Sequence, residues 1–333
     1  MITNESKLNP NVFDTSKLEQ KPTRDGFGKG LVAAGKADER VVALCADLAE
    51  STRVEWFQKE FPNRYIEIGV AEQNLATVGA GMANYGKIPF ITSYATFSPG
   101  RNWEQIRTTI AINNVPVKIA GSHAGVSVGP DGATHQALED IALMRSLPRM
   151  VVLNPCDAIE AEKVTIAAAQ NGTPVYIRLG REKTPVFTTP ETPFAIGKAQ
   201  IFYTPSGDKR DVGIIATGSL THNALLAAQQ LEGEGMAVSV MNLATIKPLD
   251  AEAVSQFAKE HGAIVTVEEH QIAGGMGSAV AECLAQHAPT PIEFIGMHDE
   301  FGQSGKPAEL IEHYGMGVSH IKEAVKKVLQ RKS

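Results

Sequence analysis

Four short segments gather side chains able to move protons or hold anions, and each follows an apolar run. They are Ala46-Asp47-Leu48-Ala49-Glu50-Ser51, Gly69-Val70-Ala71-Glu72-Gln73-Asn74, Ser93-Tyr94-Ala95-Thr96-Phe97, and Gly121-Ser122-His123 together with Gly129-Pro130-Asp131-Gly132-Ala133-Thr134-His135-Gln136. Glu72 opens a stretch, Leu75 to Met82, that is apolar or small almost all round. A helix of that kind is buried, which places its first carboxyl at an interior or an interface. A desolvated carboxyl holds a proton more tightly and passes one near neutrality, whereas a glutamate that only complements a helix dipole has the same spacing. Asp131, Thr134 and His135 fit a capping turn as well as a site, and His123 fits a core position. Arg178 ends an apolar strand, where a guanidinium needs an anionic ligand or a buried ion-pair partner.

The elements that position these groups alternate. Strands are expected at Val41–Cys45, Tyr65–Ile68, Ile88–Thr92, Val115–Ala120, Met150–Leu153 and Val175–Leu179. Helices are expected at Ala71–Asn84, Trp103–Ile112, His135–Leu147 and Ala158–Gln170. This is the pattern of an open parallel sheet covered on both faces, whose ligands collect at the carboxyl ends of the strands. The stretch from Lys183 to Lys198 is Pro-rich and without period, so it predicts an extended connection. Alternation then resumes with strands at Val212–Ala216, Ala237–Asn242, Ala263–Val267 and Ile292–Gly296. Helices over Leu220–Glu232, Ala251–His261, Gly277–His287 and Val318–Lys332 accompany them. The fold class is therefore α/β, with two consecutive open-sheet domains at 20–185 and 201–333 and a linker at 186–200.

With 333 residues, 43% of them hydrophobic and 20% charged, the chain has the composition of an ordinary globular protein. Its net charge of -6 argues against a general nucleic-acid or membrane-surface binder, since a polyanion footprint needs a cationic excess. Cys45, Cys156 and Cys283 have no metal or redox spacing and suit a reducing compartment. The polar start, Met1 to Lys21, has no signal-peptide core, so the expected location is the cytoplasm. Gly274-Gly275-Met276-Gly277 is neither a dinucleotide fingerprint nor a Walker loop and predicts a turn or close helix packing.

Taken in order, Thr23-Arg24, Ala46-Asp47-Leu48-Ala49, Gly69-Val70-Ala71-Glu72-Gln73, Thr96-Phe97, Gly121-Ser122-His123, Asp131 to Gln136 and Arg178 resemble the transketolase family. Gly213 to Ser219, Leu243 to Pro248 and Phe301 to Gly305 resemble its C-terminal domain, so the likeness runs from Thr23 to the last helix. It implies a pyrimidine-binding domain followed by a C-terminal domain, and thiamine diphosphate as cofactor. Glu72 would hydrogen-bond the aminopyrimidine ring, with Phe97 packed on that ring, Tyr94 and Trp103 as companions, and Asp47 near the cofactor at a subunit interface. His135 and Asp131 would bind sugar hydroxyls, while Arg24, Ser51, His123 and Arg178 would receive the sugar phosphate. Glu50 departs from the proline common at its position in fused enzymes.

The family's Gly-Asp-Gly stretch and later asparagine, which hold diphosphate and metal, do not occur here. The resemblance thus implies a partner, an N-terminal transketolase subunit carrying Mg²⁺ or Ca²⁺, in an α2β2 assembly that moves a two-carbon ketol unit from a ketose phosphate to an aldose phosphate. Within the same chemistry the alternatives are the beta subunit of a 2-oxo-acid dehydrogenase E1 component and a deoxyxylulose-phosphate-synthase-like enzyme. The first acts on substrates without phosphate, against the Arg24, His123 and Arg178 set. Outside it stands a catalytically silent regulatory subunit, which would have no need of Glu72 and His135.

Overall fold

A computed structural model describes residues 1–332. The first sheet has seven strands in the spatial order Thr245–Lys247, Val151–Leu153, Val175–Arg178, Lys118–Ser122, Ile88–Tyr94, Val41–Cys45 and Tyr65–Glu67. Its six strands from Val41 to Arg178 pair in parallel. Val41–Cys45 is buried at every position, as expected of a strand with helices on both faces. The second sheet runs Ile292–Met297, Ile264–Gln271, Val212–Ala216, Val238–Asn242 and Gln200–Tyr203, parallel except for the last. No helix among the described residues is long and apolar enough to cross a membrane.

The two halves interlock. Thr245–Lys247 leaves the second domain and adds an antiparallel edge to Val151–Leu153 of the first. In return, the amino-terminal segment buries Leu8, Val12 and Leu18 in the core of the second domain, and the His222 ring meets the Val12 carbonyl at 2.8 Å. The Pro-rich connection is extended but tied down. Asp157 accepts from the amides of Phe187 and Thr188 at 2.9 and 2.6 Å, and the Phe187 ring is fully buried.

Three local elements differ from the periodicity. A helix spans Thr23–Ala37, where four glycines lower intrinsic helicity. Packing supplies the reason: a Cβ on Gly26 would stand 1.9 Å from the Ala158 carbonyl oxygen, so only glycine lets this helix lie against Ala158–Gln170. The helix expected over Trp103–Ile112 is α-helical only to Gln105 and continues as a π-helical segment, Ile106–Ala111. The helix expected from His135 starts at Asp140, because Ala137 is held in a parallel bridge to Ala124 and accepts from the Gly125 amide at 2.9 Å.

Candidate active site

Strand carboxyl ends deliver the first group of side chains. Asp47 and His123 follow Val41–Cys45 and Lys118–Ser122 with φ of 57° each, in the left-handed region where non-glycine residues are uncommon. That turn places the His123 ring flat on Tyr94, with centroids 3.8 Å apart. Phe97 lies 6.2 Å from Tyr94, and the His135 ring meets both edge-on at 6.2 and 5.4 Å. Thr134 Oγ1 fixes His135 through Nδ1 at 2.8 Å. The sequence places these four rings on three separate segments; the sheet brings them into one aromatic box.

Beside the box lies Glu72, 1% exposed at the start of the helix Glu72–Asn84. Arg101 NH1 donates to its Oε2 at 2.6 Å, and Ser93 Oγ stands 3.4 Å from Oε1. The Arg101 guanidinium also lies 4.8 Å over the Phe97 ring. Asn102 Nδ2 donates to the Glu72 carbonyl at 2.8 Å, while its Oδ1 is buried without a partner. Arg101 and Asn102 escaped the sequence reading, for they carry no motif and meet Glu72 only when the loop after Tyr94 closes. The helix itself is covered on one side alone within this chain. Gln73, Asn74, Thr77 and Val78 face outward, flanked by the exposed Val70 and Tyr85. Asp47 is exposed near this face, its amide donating to Glu67 Oε1 at 2.8 Å.

A second cluster is cationic. Arg24 NH1 contacts the Ser51 carbonyl at 2.7 Å and His123 Nε2 at 3.3 Å, while its Nε is buried without a partner. Burial, together with the guanidiniums of Arg53 and Arg181, pulls Arg24 below its ordinary value against the opposing effect of Asp25. Burial and the nearby Arg24, Arg181 and Arg53 push His123 down to about 3, so its ring is neutral at physiological pH. Arg53 is paired with Asp25 at 2.7 Å. Arg24 and Arg181 have no carboxylate partner among the described residues, and Arg181 is held only by the Val128 carbonyl at 3.1 Å. Like charges gathered this way call for an anion. Arg181 was missed in the sequence, where Arg178 stands three positions earlier on a cleaner strand signal.

Arg178 does not join that cluster. Its Nε donates to Asp140 Oδ2 at 2.9 Å, and its NH2 donates to the carbonyls of Ala137 and Glu269 at 3.3 and 2.8 Å. Burial would lower this guanidinium, but Asp140 and Glu269 hold it above its ordinary value. Asp140, 1% exposed, also accepts from the Tyr176 hydroxyl and needs this counter-charge, so the pair is an internal tie. Trp103 likewise lies apart from the box: its Nε1 donates to the Leu143 carbonyl at 3.0 Å and its ring packs against buried hydrophobic side chains. Ser51 offers the cluster its carbonyl, and Asp131 sits exposed on the loop before His135. No group of His, Cys, Asp and Glu among the described residues is placed to hold a metal. The Gly274 to Gly277 turn serves Glu268, whose carboxylate accepts from the amides of Met276 and Gly277 at 2.6 and 2.7 Å.

Residues 19–187 match the family model described as transketolase, pyrimidine binding domain, and residues 204–321 match the transketolase C-terminal domain. A split gene transketolase, solved as an inactive beta4 tetramer, is 44% identical, with a TM-score of 0.87 over 94% of this chain and 99% of that one. The 6-deoxy-6-sulfo-D-fructose transketolase subunit of Clostridium sp. (strain MSTE9) is 38% identical over 95% of this chain and 97% of its own length. An apulose-4-phosphate transketolase subunit of Phocaeicola vulgatus is 36% identical over 88% and 93%. Transketolase from Campylobacter jejuni, at 22% identity and a TM-score of 0.79, shares the fold over 95% of this chain and 50% of that one.

Proposed function

The chain belongs to the transketolase family, and from that premise we propose that it is the subunit of a thiamine-diphosphate-dependent transketolase that supplies the pyrimidine and substrate sites. The observation that carries the reading is the triangle of Glu72, Phe97 and Arg101. A buried carboxylate and an aromatic face already hold one planar N–H donor, the Arg101 guanidinium, and an aminopyrimidine ring has the same needs. The donor set therefore fits the cofactor. When bound, thiamine diphosphate would supply the carbanion chemistry that lets a carbon–carbon bond break next to a carbonyl.

This chain's side chains do the rest. Glu72 orients the ring by its hydrogen bond and holds or moves the proton at the ring nitrogen. Phe97, with Tyr94 behind it, fixes the ring plane. His135 and Asp131 reach the sugar hydroxyls near the reacting carbon, where His135 also passes protons. Arg24, Arg181 and the neutral His123 receive a terminal anion, and Arg178 holds the fold beneath them. Relatives named for 6-deoxy-6-sulfo-D-fructose and for apulose 4-phosphate both concern sugars with an anionic end, which supports a phosphorylated ketose donor and aldose acceptor without fixing either.

The diphosphate and its Mg²⁺ are assigned to a partner, an N-terminal subunit in an α2β2 assembly working in the cytoplasm. Support comes from the split gene relative, which this chain spans almost end to end. The exposed Val70, Val78 and Tyr85 beside Glu72 give that assembly an apolar contact surface. Titration calorimetry tests the arrangement: the purified chain should bind thiamine diphosphate with Mg²⁺ only after the partner is added. Tight binding by the chain alone would sink it, and a reconstituted enzyme that decarboxylates pyruvate but ignores sugar phosphates would favour the 2-oxo-acid reading.

A further inference from the structure

The loop Gly125–Gln136, which carries Asp131 and leads through His135, is tied internally by bonds from the Gly132 amide to Gly129, the His135 amide to Gly132 and the Gln136 side chain to Val126. Gly125, Gly129 and Gly132 have φ of 87°, 80° and 72°, and Val126–Asp131 is only a kinked pair of short turns. The second domain adds ties at several points along it. Glu269, on the strand Ile264–Gln271, places Oε1 2.6 Å from the Ser127 amide nitrogen. A Cβ at Gly125 would stand 2.2 Å from the same oxygen, so glycine is what admits the carboxylate. Further along, Gln136 Nε2 donates to the carbonyls of Gln303 and Val126 at 3.0 Å each. Ser304 and Pro307 lie close against Gly132 and Gly129, at 2.5 and 3.1 Å from the position of an added Cβ.

We propose that Glu269 is a positioning residue: through its bond to the Ser127 amide, the C-terminal domain holds the substrate loop in the register that presents Asp131 and His135 to the sugar hydroxyls. The inference rests on the reading of those two residues as hydroxyl-binding groups and gives the second domain a part in catalysis. A carboxylate only 6% exposed is costly to bury unless its lone pairs are met. Burial raises the proton affinity of Glu269, and Arg178 and the Ser127 amide counter it. A charge-assisted bond to a backbone amide is about twice as strong as a neutral one, which suits a loop whose three positive-φ glycines leave its backbone permissive. Arg178 braces the other end of the arrangement, joining the Glu269 carbonyl to Asp140 and Ala137. Displacing a substrate-positioning group by about 1 Å costs on the order of a hundredfold in rate, so loosening this loop should be visible.

The experiment compares Glu269→Ala and Glu269→Gln, each reconstituted with the partner chain. Two donors are used: xylulose 5-phosphate, with several hydroxyls, and hydroxypyruvate, with few. Glu269→Ala should lower kcat/KM for xylulose 5-phosphate roughly ten- to a hundredfold and for hydroxypyruvate several-fold less, with thiamine diphosphate affinity changing little. Glu269→Gln keeps an acceptor for Ser127 and should restore most of the loss. Amide hydrogen exchange across 126–131 should quicken in the alanine variant and return in the glutamine variant. Equal losses for both donors, a parallel loss of cofactor affinity, or unchanged exchange would each overturn the proposal, since Glu269 would then support the fold as a whole. If alanine prevents folding, Gly125→Ala, which crowds the same carboxylate, must give the same donor-selective loss. A wild type that transfers from neither donor defeats the transketolase reading itself, a result distinct from any difference among variants.

Discussion

Arg101 and Glu72 form a 2.6 Å ion pair whose two members differ sharply in exposure, 48% for the arginine side chain and 1% for the carboxylate. Because the guanidinium also covers Phe97, a ring that binds Glu72 must take its place. Arg101→Met leaves the carboxylate without that competitor. The half-exposed pair is worth about 1 kcal/mol, so thiamine diphosphate affinity in the reconstituted enzyme should tighten roughly fivefold. Calorimetry with the partner present checks it; unchanged or weaker binding would mean that Arg101 supports the ring.

Glu72→Gln keeps the side chain's size and a hydrogen bond while removing the acid–base function. Turnover in the reconstituted enzyme should fall about 10²–10⁴-fold with assembly intact. Hydrogen–deuterium exchange at the cofactor's reactive carbon should slow in parallel, and near-normal exchange would be incompatible with the role given to Glu72.

Arginines three residues apart should behave oppositely. Arg24→Ala and Arg181→Ala each remove a contact that is nearly equal in ground and transition states, so they should raise KM for a phosphorylated donor. A loss of roughly ten- to a hundredfold in kcat/KM is expected, with hydroxypyruvate little affected. Arg178→Ala instead strips Asp140 of its buried counter-charge and should cost about 3–5 kcal/mol of stability in urea unfolding, whatever the donor. Normal stability with donor-selective loss in Arg178→Ala would return that residue to the anion site.

Buried titratable groups should make stability depend on pH in opposing directions. Burial raises Glu160 and Glu268 to about 7 from 4.5, so what they contribute is full below the unfolded value and lost as pH rises through the folded one. Burial lowers His123 to about 3 and His270 to about 4, so their contribution is present above the unfolded 6.5 and lost as pH falls toward those values. Burial lowers Lys118 to about 7 from 10.5, so its contribution is present above the unfolded value and lost as pH falls through the folded one; the carboxyl effect is therefore read as the difference in unfolding free energy between wild type and a variant, between about pH 4 and pH 8. Glu268→Gln removes one raised carboxyl, so the stability of that variant relative to wild type should rise as pH goes from about 4.5 to about 7. A difference that stays flat across that range would show that Glu268 does not titrate there.

Apolar periodicity alone laid out the two-domain α/β plan and pointed to the segments that follow its strands, while the roles given to their side chains came from the family resemblance. The strand Val41–Cys45 and the helices Ala158–Gln170 and Ala251–His261 stand where their apolar periods put them, because such patterns record which face each element buries. The same reading offered Glu72, Phe97, His123 and His135, since polar groups just after apolar strands fall at the sheet's carboxyl edge. The choice of partners emerged only in the folded chain. Arg178 and Arg181 are alike in type and near in sequence, yet one turns to Asp140 and the other lies beside Arg24. Arg101 reaches Glu72 across 29 positions, and Thr245–Lys247 joins the other domain's sheet. Local propensity cannot encode such meetings, because a guanidinium's partner is set by which carboxylate the folded chain brings within reach and leaves without water.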